Sequence, residues 1–240
     1  MLTARAVNRD LAKLGTPARA KAAAWYFKTG KGHYGYGDIF LGVTVPEQRK
    51  LAKRYRDLPL GEISALMGNP THECRLTALF ILVGQFERAD AEGKARVARF
   101  YLQRRKRVNN WDLVDSSAPR ILGRHLLDKE RTILYKLARS ENLWERRIAV
   151  IATFAFIREN EYRDALNLAK LLLKDRHDLI HKAVGWMLRE VGKKKMSAEE
   201  TFLKKYATEM PRTMLRYAIE RFPEKKRQAF LAMRPKVEKS

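Results

Sequence analysis

Apolar residues recur at three- and four-residue intervals through nearly every long segment of this chain. The pattern is clearest in "ECRLTALFILVGQFERA" (73–89), "WERRIAVIATFAFIREN" (144–160) and "IHKAVGWMLREVGKK" (180–194), where Arg and Lys fill the positions between. That period matches one buried face of an α-helix. Gly and Pro fall mostly between such segments, at Gly15–Pro17, in the 30–37 stretch, at Pro59–Gly61, Gly68–Pro70 and Pro211, where they read as interhelical turns. No alternating strand run and no βαβ pattern appears. The pattern predicts an all-α fold.

The helices also repeat. "RLTALFIL" from Arg75, "RIAVIATF" from Arg147, "KAVGWML" from Lys182 and "RYAIERF" from Arg216 each open on a base followed by an apolar run. From 75 to 147 is 72 residues, twice 36, and the later intervals are 35 and 34. Halving the first interval predicts a further copy starting near Trp111. A period of this length suits a two-helix, HEAT-like unit that buries its apolar face only against its neighbours. The expectation is one domain over 1–240, a solenoid with a concave basic groove, ending in a helix and basic tail over 224–240. In that register Trp111, Arg147 and Lys182 share the opening offset, and Asp115 and Trp186 share the position one turn later. Equivalent offsets are expected to face one groove.

Charge changes the picture more than composition does. The chain carries 50 Lys+Arg against 27 Asp+Glu, a formal net charge of +23, with bases spread along its length. Such self-repulsion is offset by a polyanionic partner, and nucleic acid fits a distributed charge better than a membrane surface does. No apolar run is long enough to span a bilayer, and the N-terminus lacks the apolar core of a signal peptide, so a cytoplasmic location is expected. The single cysteine, Cys74, is expected to be a small buried helix residue. The five histidines show no metal-ligand spacing, so no metal is expected, and surface or capping roles suit them. "GKGHYGYG" (30–37) contains a formal G-x-G-x-x-G but follows a helical segment. It is therefore expected to be a loop near a nucleic-acid backbone or a plain connection, with no cofactor.

The candidate chemistry lies in "NNWDLVDSSAP" (109–119). Trp111 and Asp115 are one helical turn apart and share a face. Asp112 points elsewhere and suits an electrostatic role near the helix start, or an ion pair with Arg107 or Arg120. A carboxylate such as Asp115 in a phosphate-binding cleft lowers affinity unless it acts on something cationic. The alternative leaves it orienting Arg147. Of the four tryptophans, Trp25 and Trp144 sit in apolar runs and are expected to pack.

At this point the sequence resembles the AlkD-type DNA alkylation-repair glycosylases, built of HEAT-like repeats. The resemblance is carried by "WDLVDSSAPRILG" (111–123), "ENLWERRIAV" (141–150) and "HKAVGWMLREVGKK" (181–194), with "AAWYFKTG" (23–30) and "LGVTVPEQRKLAK" (41–53) in support. It implies hydrolysis of the N-glycosidic bond of N3- or N7-alkylated purines in duplex DNA, by a monomer without cofactor and with the lesion left stacked. It places the catalytic carboxylate at Asp115, the lesion-flanking tryptophans at Trp111 and Trp186, and a cleft arginine at Arg147. Tyr26, Arg49 and Arg189 fall on positions that face the DNA backbone. Two departures are the Gly-rich 30–37 segment and Leu179–Ile180, where the family pattern has an aromatic pair. A non-catalytic DNA- or RNA-binding repeat protein is the alternative reading, and a protein-interaction scaffold the third.

Overall fold

The computed structural model describes residues 2–233, so part of the predicted basic tail lies outside the described residues. Regular structure among them is helical, apart from a single parallel bridge between Ile39 and Thr71. The chain divides between Ser117 and Ala118 into two compact units.

The first unit holds α1 (Ala4–Ala12), α2 (Pro17–Tyr26), α3 (Val45–Arg54), α4 (Leu60–Gly68), α5 (His72–Arg88), α6 (Ala91–Arg104) and α7 (Trp111–Ser117). Helix α5 is its centre. Every residue from His72 to Val83 is buried, so this helix is enclosed by α1, α3, α4, α6 and α7 rather than resting on one face. Cys74 lies within that run and its Sγ donates to Asn8 Oδ1 at 3.3 Å. Burial pushes its thiol up to about 12, which removes the thiolate that reactivity requires. The entry to α3 is fixed by a reciprocal cap, in which the Thr44 side chain accepts from the Glu47 backbone and the Glu47 carboxylate accepts from the Thr44 backbone.

Helix α2 corrects the expectation that Trp25 packs. No residue of α2 is buried, and Trp25 is 84% exposed. The physical reason is local. Its apolar residues are mainly alanines at 18, 20, 22, 23 and 24, spread around the helix, so the helix presents no single large apolar face to a core. Trp144 is half-buried. Trp25→Ala is therefore expected to change the stability of the protein by no more than about 0.5 kcal/mol in urea unfolding, against about 3–5 kcal/mol for a tryptophan buried in a core.

The second unit holds α8 (Thr132–Ala138), α9 (Leu143–Ala152), α10 (Phe154–Arg158), α11 (Arg163–Leu171), α12 (Asp178–Lys194), α13 (Met196–Tyr206), α14 (Arg212–Ala218) and α15 (Glu224–Ala232). Helix α12 buries Ile180, Ala183, Val184, Met187, Leu188 and Val191, the stripe its sequence period predicts, against α9 and α14. Close approach of α14 requires Gly185, because a Cβ there would lie 2.5 Å from the Met214 carbonyl oxygen.

The helix expected near 111 begins at Trp111, but the register differs from the one the spacing suggests. Successive starts fall at 72, 111, 143, 178 and 212, so the first interval divides unevenly. The longer step accommodates the fourteen-residue α6 and a 3-10 turn at Arg105–Arg107, and the shorter step holds only a π-helical turn at Pro119–Gly123 and the seven-residue α8. Counted from each helix start, Asp115, Arg147, Lys182 and Arg216 are equivalent, and Trp111 lies one turn earlier. Four residues exceed the usual latitude in helix ends. Because four residues are also one turn, the two registers put the same helix face forward.

Candidate functional site

In the first unit, α7 is tied down through residues at its start. The Asn110 side chain, fully buried, accepts from the Trp111 backbone N–H at 2.8 Å and donates through Nδ2 to Asp38 Oδ2 at 3.1 Å. Asp112 accepts the Leu113 N–H at 2.9 Å with one oxygen and meets His72 Nε2 at 2.8 Å with the other. The other ring nitrogen of His72 meets Asp38 Oδ2 at 3.1 Å, and Asp38 Oδ1 accepts from Arg75 Nη2 at 2.6 Å. Asp112 thus pairs with His72, and the expected ion pair with Arg107 or Arg120 gives way to it. The Arg107 guanidinium donates instead to the carbonyls of Met67 and Gly68. The reason is that Arg107 lies ahead of α7 and caps the end of α4, whereas Asp112 on the first turn of α7 faces the start of α5.

His72 is 2% exposed and carries a carboxylate on each ring nitrogen. A neutral imidazole has one N–H and ionised carboxylates only accept, so the two contacts are satisfied together by an imidazolium. Burial lowers its pKa, but the charge and hydrogen bond of Asp112 and the hydrogen bond of Asp38 outweigh that and raise it to about 9. Asp38 is itself held below the usual carboxylate range. Burial opposes this, and the His72 hydrogen bond and the Arg75 charge outweigh it. A folded-state pKa above the unfolded value means that the contribution of His72 to stability is complete below about 6.5. It is lost as pH rises through about 9.

Aromatic rings enclose the imidazole. Phe40 stacks on it at 4.7 Å and Phe27 lies at 4.8 Å, an arrangement that favours a cationic ring. Phe27 also stacks on Trp111 at 5.3 Å with an interplanar angle of 18°, and Tyr26 meets Trp111 edge-on at 6.0 Å. Sequence places Phe27 at the end of α2, where the chain turns through Lys28 at a positive φ of 54°. The loop that follows folds back over it at Gly35, where a Cβ would lie 2.3 Å from the Phe27 carbonyl oxygen. The glycines of 30–37 thus serve a loop after a helix, not a strand–turn–helix phosphate cradle. A cleft of about 180 Å³ opens beside the cluster, between Phe27, Phe40, His72 and Asp112. Nearby Glu73 is spent on the loop, accepting from the backbone N–H groups of Leu41, Gly42 and Val43.

Asp115 sits half-buried one turn beyond Trp111, which is also half-buried. Burial, together with the charge of Asp115, pushes the phenol of the fully buried Tyr101 up, and Tyr101 hydrogen-bonds Ser117 at 3.1 Å. Tyr26 is 58% exposed, and Arg49 is exposed with its guanidinium 4.2 Å from the centre of the Phe80 ring.

The second unit holds the other three residues singled out from sequence. Arg147, on α9, is 5% exposed and donates through Nη1 to the Leu179 carbonyl oxygen in the first turn of α12. Trp186 is half-buried, 5.8 Å from the Phe154 ring, and its Nε1 donates to Glu190 Oε1 at 3.0 Å. Arg189 pairs with Glu220 and approaches Glu190 Oε1 at 3.6 Å. His177 caps α12 by accepting the Leu179 N–H, the capping role expected of a histidine here. His72 departs from the expected surface or capping role. Its partners lie 34 and 40 residues away, at Asp38 and Asp112, and no local spacing announces them.

No group of His, Cys, Asp and Glu among the described residues is placed to hold a metal ion, and no helix among them is long and apolar enough to cross a membrane. Compared with known proteins, residues 7–222 match the family model described as DNA alkylation repair enzyme. Among solved structures, one described as a predicted DNA alkylation repair enzyme from Enterococcus faecalis is 20% identical. It superposes with a TM-score of 0.70 over 88% of this chain and 97% of its own, a likeness in fold. No curated protein matches the chain. The family match runs through the helices of both units and takes in every residue singled out above, and the chain belongs to the DNA alkylation repair enzyme family.

Proposed function

We propose that the protein is a monofunctional DNA N-glycosylase that releases cationic N3- and N7-alkylated purines from duplex DNA. The observation that carries this is Asp115, a half-buried carboxylate one turn from a half-buried Trp111, on a helix anchored from its first turn, in a chain of net charge +23. An alkylated purine already carries positive charge, so it leaves without a general acid. The sugar it leaves becomes oxocarbenium-like. Asp115 supplies the anion that stabilises that sugar and orients the attacking water. The rings of Trp111 and Trp186 contact the cationic lesion, each worth on the order of 0.5–2 kcal/mol according to desolvation.

The basic surface positions the duplex without reading its sequence. Between Asp10 and Asp38 the chain has no acidic residue, and Trp25, Tyr26 and Tyr36 are exposed there at 84%, 58% and 67%. This edge and Arg49 are the proposed backbone contacts, and Arg189 contributes after exchanging Glu220 for phosphate. Arg147 takes a narrower part than an open cleft arginine, because it is buried on the Leu179 carbonyl and braces the helix bearing Trp186.

The test is release of free base from N7-methylated duplex DNA by the purified protein. Free 7-methylguanine above the spontaneous rate supports the reading. Tight, salt-sensitive binding with no base release supports the non-catalytic nucleic-acid-binding alternative instead. Arg49→Ala is expected to weaken duplex binding about equally across sequences and to reduce the slope of log affinity against log salt by about one, measured by anisotropy titration from 50 to 200 mM salt.

A further inference from the structure

We propose that His72, held between Asp38 and Asp112, is a positioning residue whose positive charge sets the orientation of Trp111 and of the helix that carries Asp115. The proposal rests on the assignment of Asp115 and Trp111 above and adds a group that neither touches the reacting atoms nor is marked in the sequence.

Three physical links connect the imidazole to the site. The first is the Asp112 carboxylate, which joins His72 Nε2 at 2.8 Å to the residue next to Trp111. The second is Phe27, tilted against His72 at 4.8 Å and stacked on Trp111 at 5.3 Å, so that one ring separates the imidazole from the indole. The third is Asp38, which holds the far side of the ring and also accepts from Asn110, the residue before Trp111. Helix α7 has only seven residues, too few to hold its own geometry by backbone hydrogen bonds alone, so its start depends on such anchors.

Charge makes the anchor conditional. The charged groups around the ring are Asp38 from the loop after α2, Asp112 from α7, and Arg75 and Glu73 from α5 itself. Glu73 is turned onto the loop, where three backbone N–H groups donate to it, so the two carboxylates in contact with the ring are Asp38 and Asp112, faced by Arg75 and His72. Loss of the ring proton leaves only one N–H for two half-buried carboxylates; Asp38 keeps Arg75 and Asn110 as donors, whereas Asp112 has His72 as its one cationic partner among the described residues. The raised pKa of His72 agrees with this balance. The first turn of α7, with Trp111, is then expected to shift to restore a partner for the stranded oxygen.

The experiment reads the indole and the reaction separately. Protein labelled with 5-fluorotryptophan is followed by 19F NMR from pH 6 to 10, the Trp111 signal being assigned from Trp111→Phe, while the imidazole is followed in the same samples by proton NMR. The Trp111 signal is expected to move with the midpoint of His72. Asp112→Asn removes one carboxylate and is expected to lower both midpoints together by about one pH unit. In single-turnover release of 7-methylguanine, the wild-type rate is expected to fall on the alkaline side with that same midpoint. His72→Gln is expected to lose at least about tenfold in rate at pH 7, with duplex affinity within about twofold and no alkaline limb.

A Trp111 signal indifferent to the titration of His72, or an alkaline limb unmoved in Asp112→Asn, overturns the proposal. If His72→Gln fails to fold, Asp112→Asn decides alone, because its carboxylate sits at the edge of the cluster. If wild-type protein releases no base at any pH, the glycosylase assignment falls, and the 19F titration still decides whether His72 positions Trp111.

Discussion

Asp115→Asn is expected to slow release of 7-methylguanine from duplex DNA by about 10²–10³-fold, or ~3–4 kcal/mol of transition-state stabilisation, while binding to the same duplex persists. The substitution keeps shape, removes the charge and turns one acceptor oxygen into an N–H donor. Since the cationic purine departs without proton donation, the energy to be lost lies in the anion that faces the developing oxocarbenium and aligns the water. Binding is expected to hold or tighten, because removing a negative charge from a phosphate-binding site lowers its repulsion of the backbone. Single-turnover kinetics on N7-methylated duplex, with affinity measured in parallel, checks both parts. A variant that cleaves at the wild-type rate ends the assignment of Asp115, and a variant that neither binds nor cleaves points to a structural role.

The second large effect is on stability and concerns Glu199. This carboxyl group is 1% exposed on α13, its Oε1 meets no hydrogen-bond donor, and it lies so close over Gly192 of α12 that a Cβ there would overlap it. Burial raises its pKa, the nearby Glu200 adds to the rise, and the group titrates at about 8 in the folded protein. A raised carboxylate pKa means that the contribution to stability is complete below about 4.5 and is lost as pH rises through about 8. Glu199→Gln removes the charging step. The variant is expected to be more stable than wild type by about 2–4 kcal/mol at pH 8 and close to it at pH 5, measured as urea midpoints at the two values. A constant difference across that range would place the Glu199 effect in packing rather than in charge. His72 also loses stabilisation on the alkaline side, between about 6.5 and 9, and comparison of the His72 and Glu199 variants separates the two contributions.

Much of this was legible in the residues themselves. The three- and four-residue period marks the helices, and repeat spacing alone predicts the one that starts at Trp111. Trp111 and Asp115 could be paired because two residues four apart on a helix share a face whatever surrounds them. Cys74 was readable as a buried residue because a cysteine is small and apolar, and it opens the helical period that continues at Ala78 and Leu82. The failures have equally local causes. Trp25 lies in an apolar run without a stripe, and such a run does not say which side, if any, meets a core. The repeat register slipped by one turn because equal division assumes equal connections, and a fourteen-residue α6 and a seven-residue α8 are not equal.

What sequence alone determined, then, was the periodic part: helix class, a basic charge in search of a polyanion, and the Trp–Asp pair one turn apart. These depend on a residue and its neighbours within a few positions, the range over which helical geometry operates. Tertiary structure decided the rest. It gave Asp112 to His72 rather than to an arginine, enclosed that histidine between two carboxylates, buried Arg147 on a carbonyl of α12, and left Glu199 Oε1 without a donor. Each of these depends on groups brought together from distant positions, where burial removes water and an ionisable side chain must take whatever partner the packing supplies.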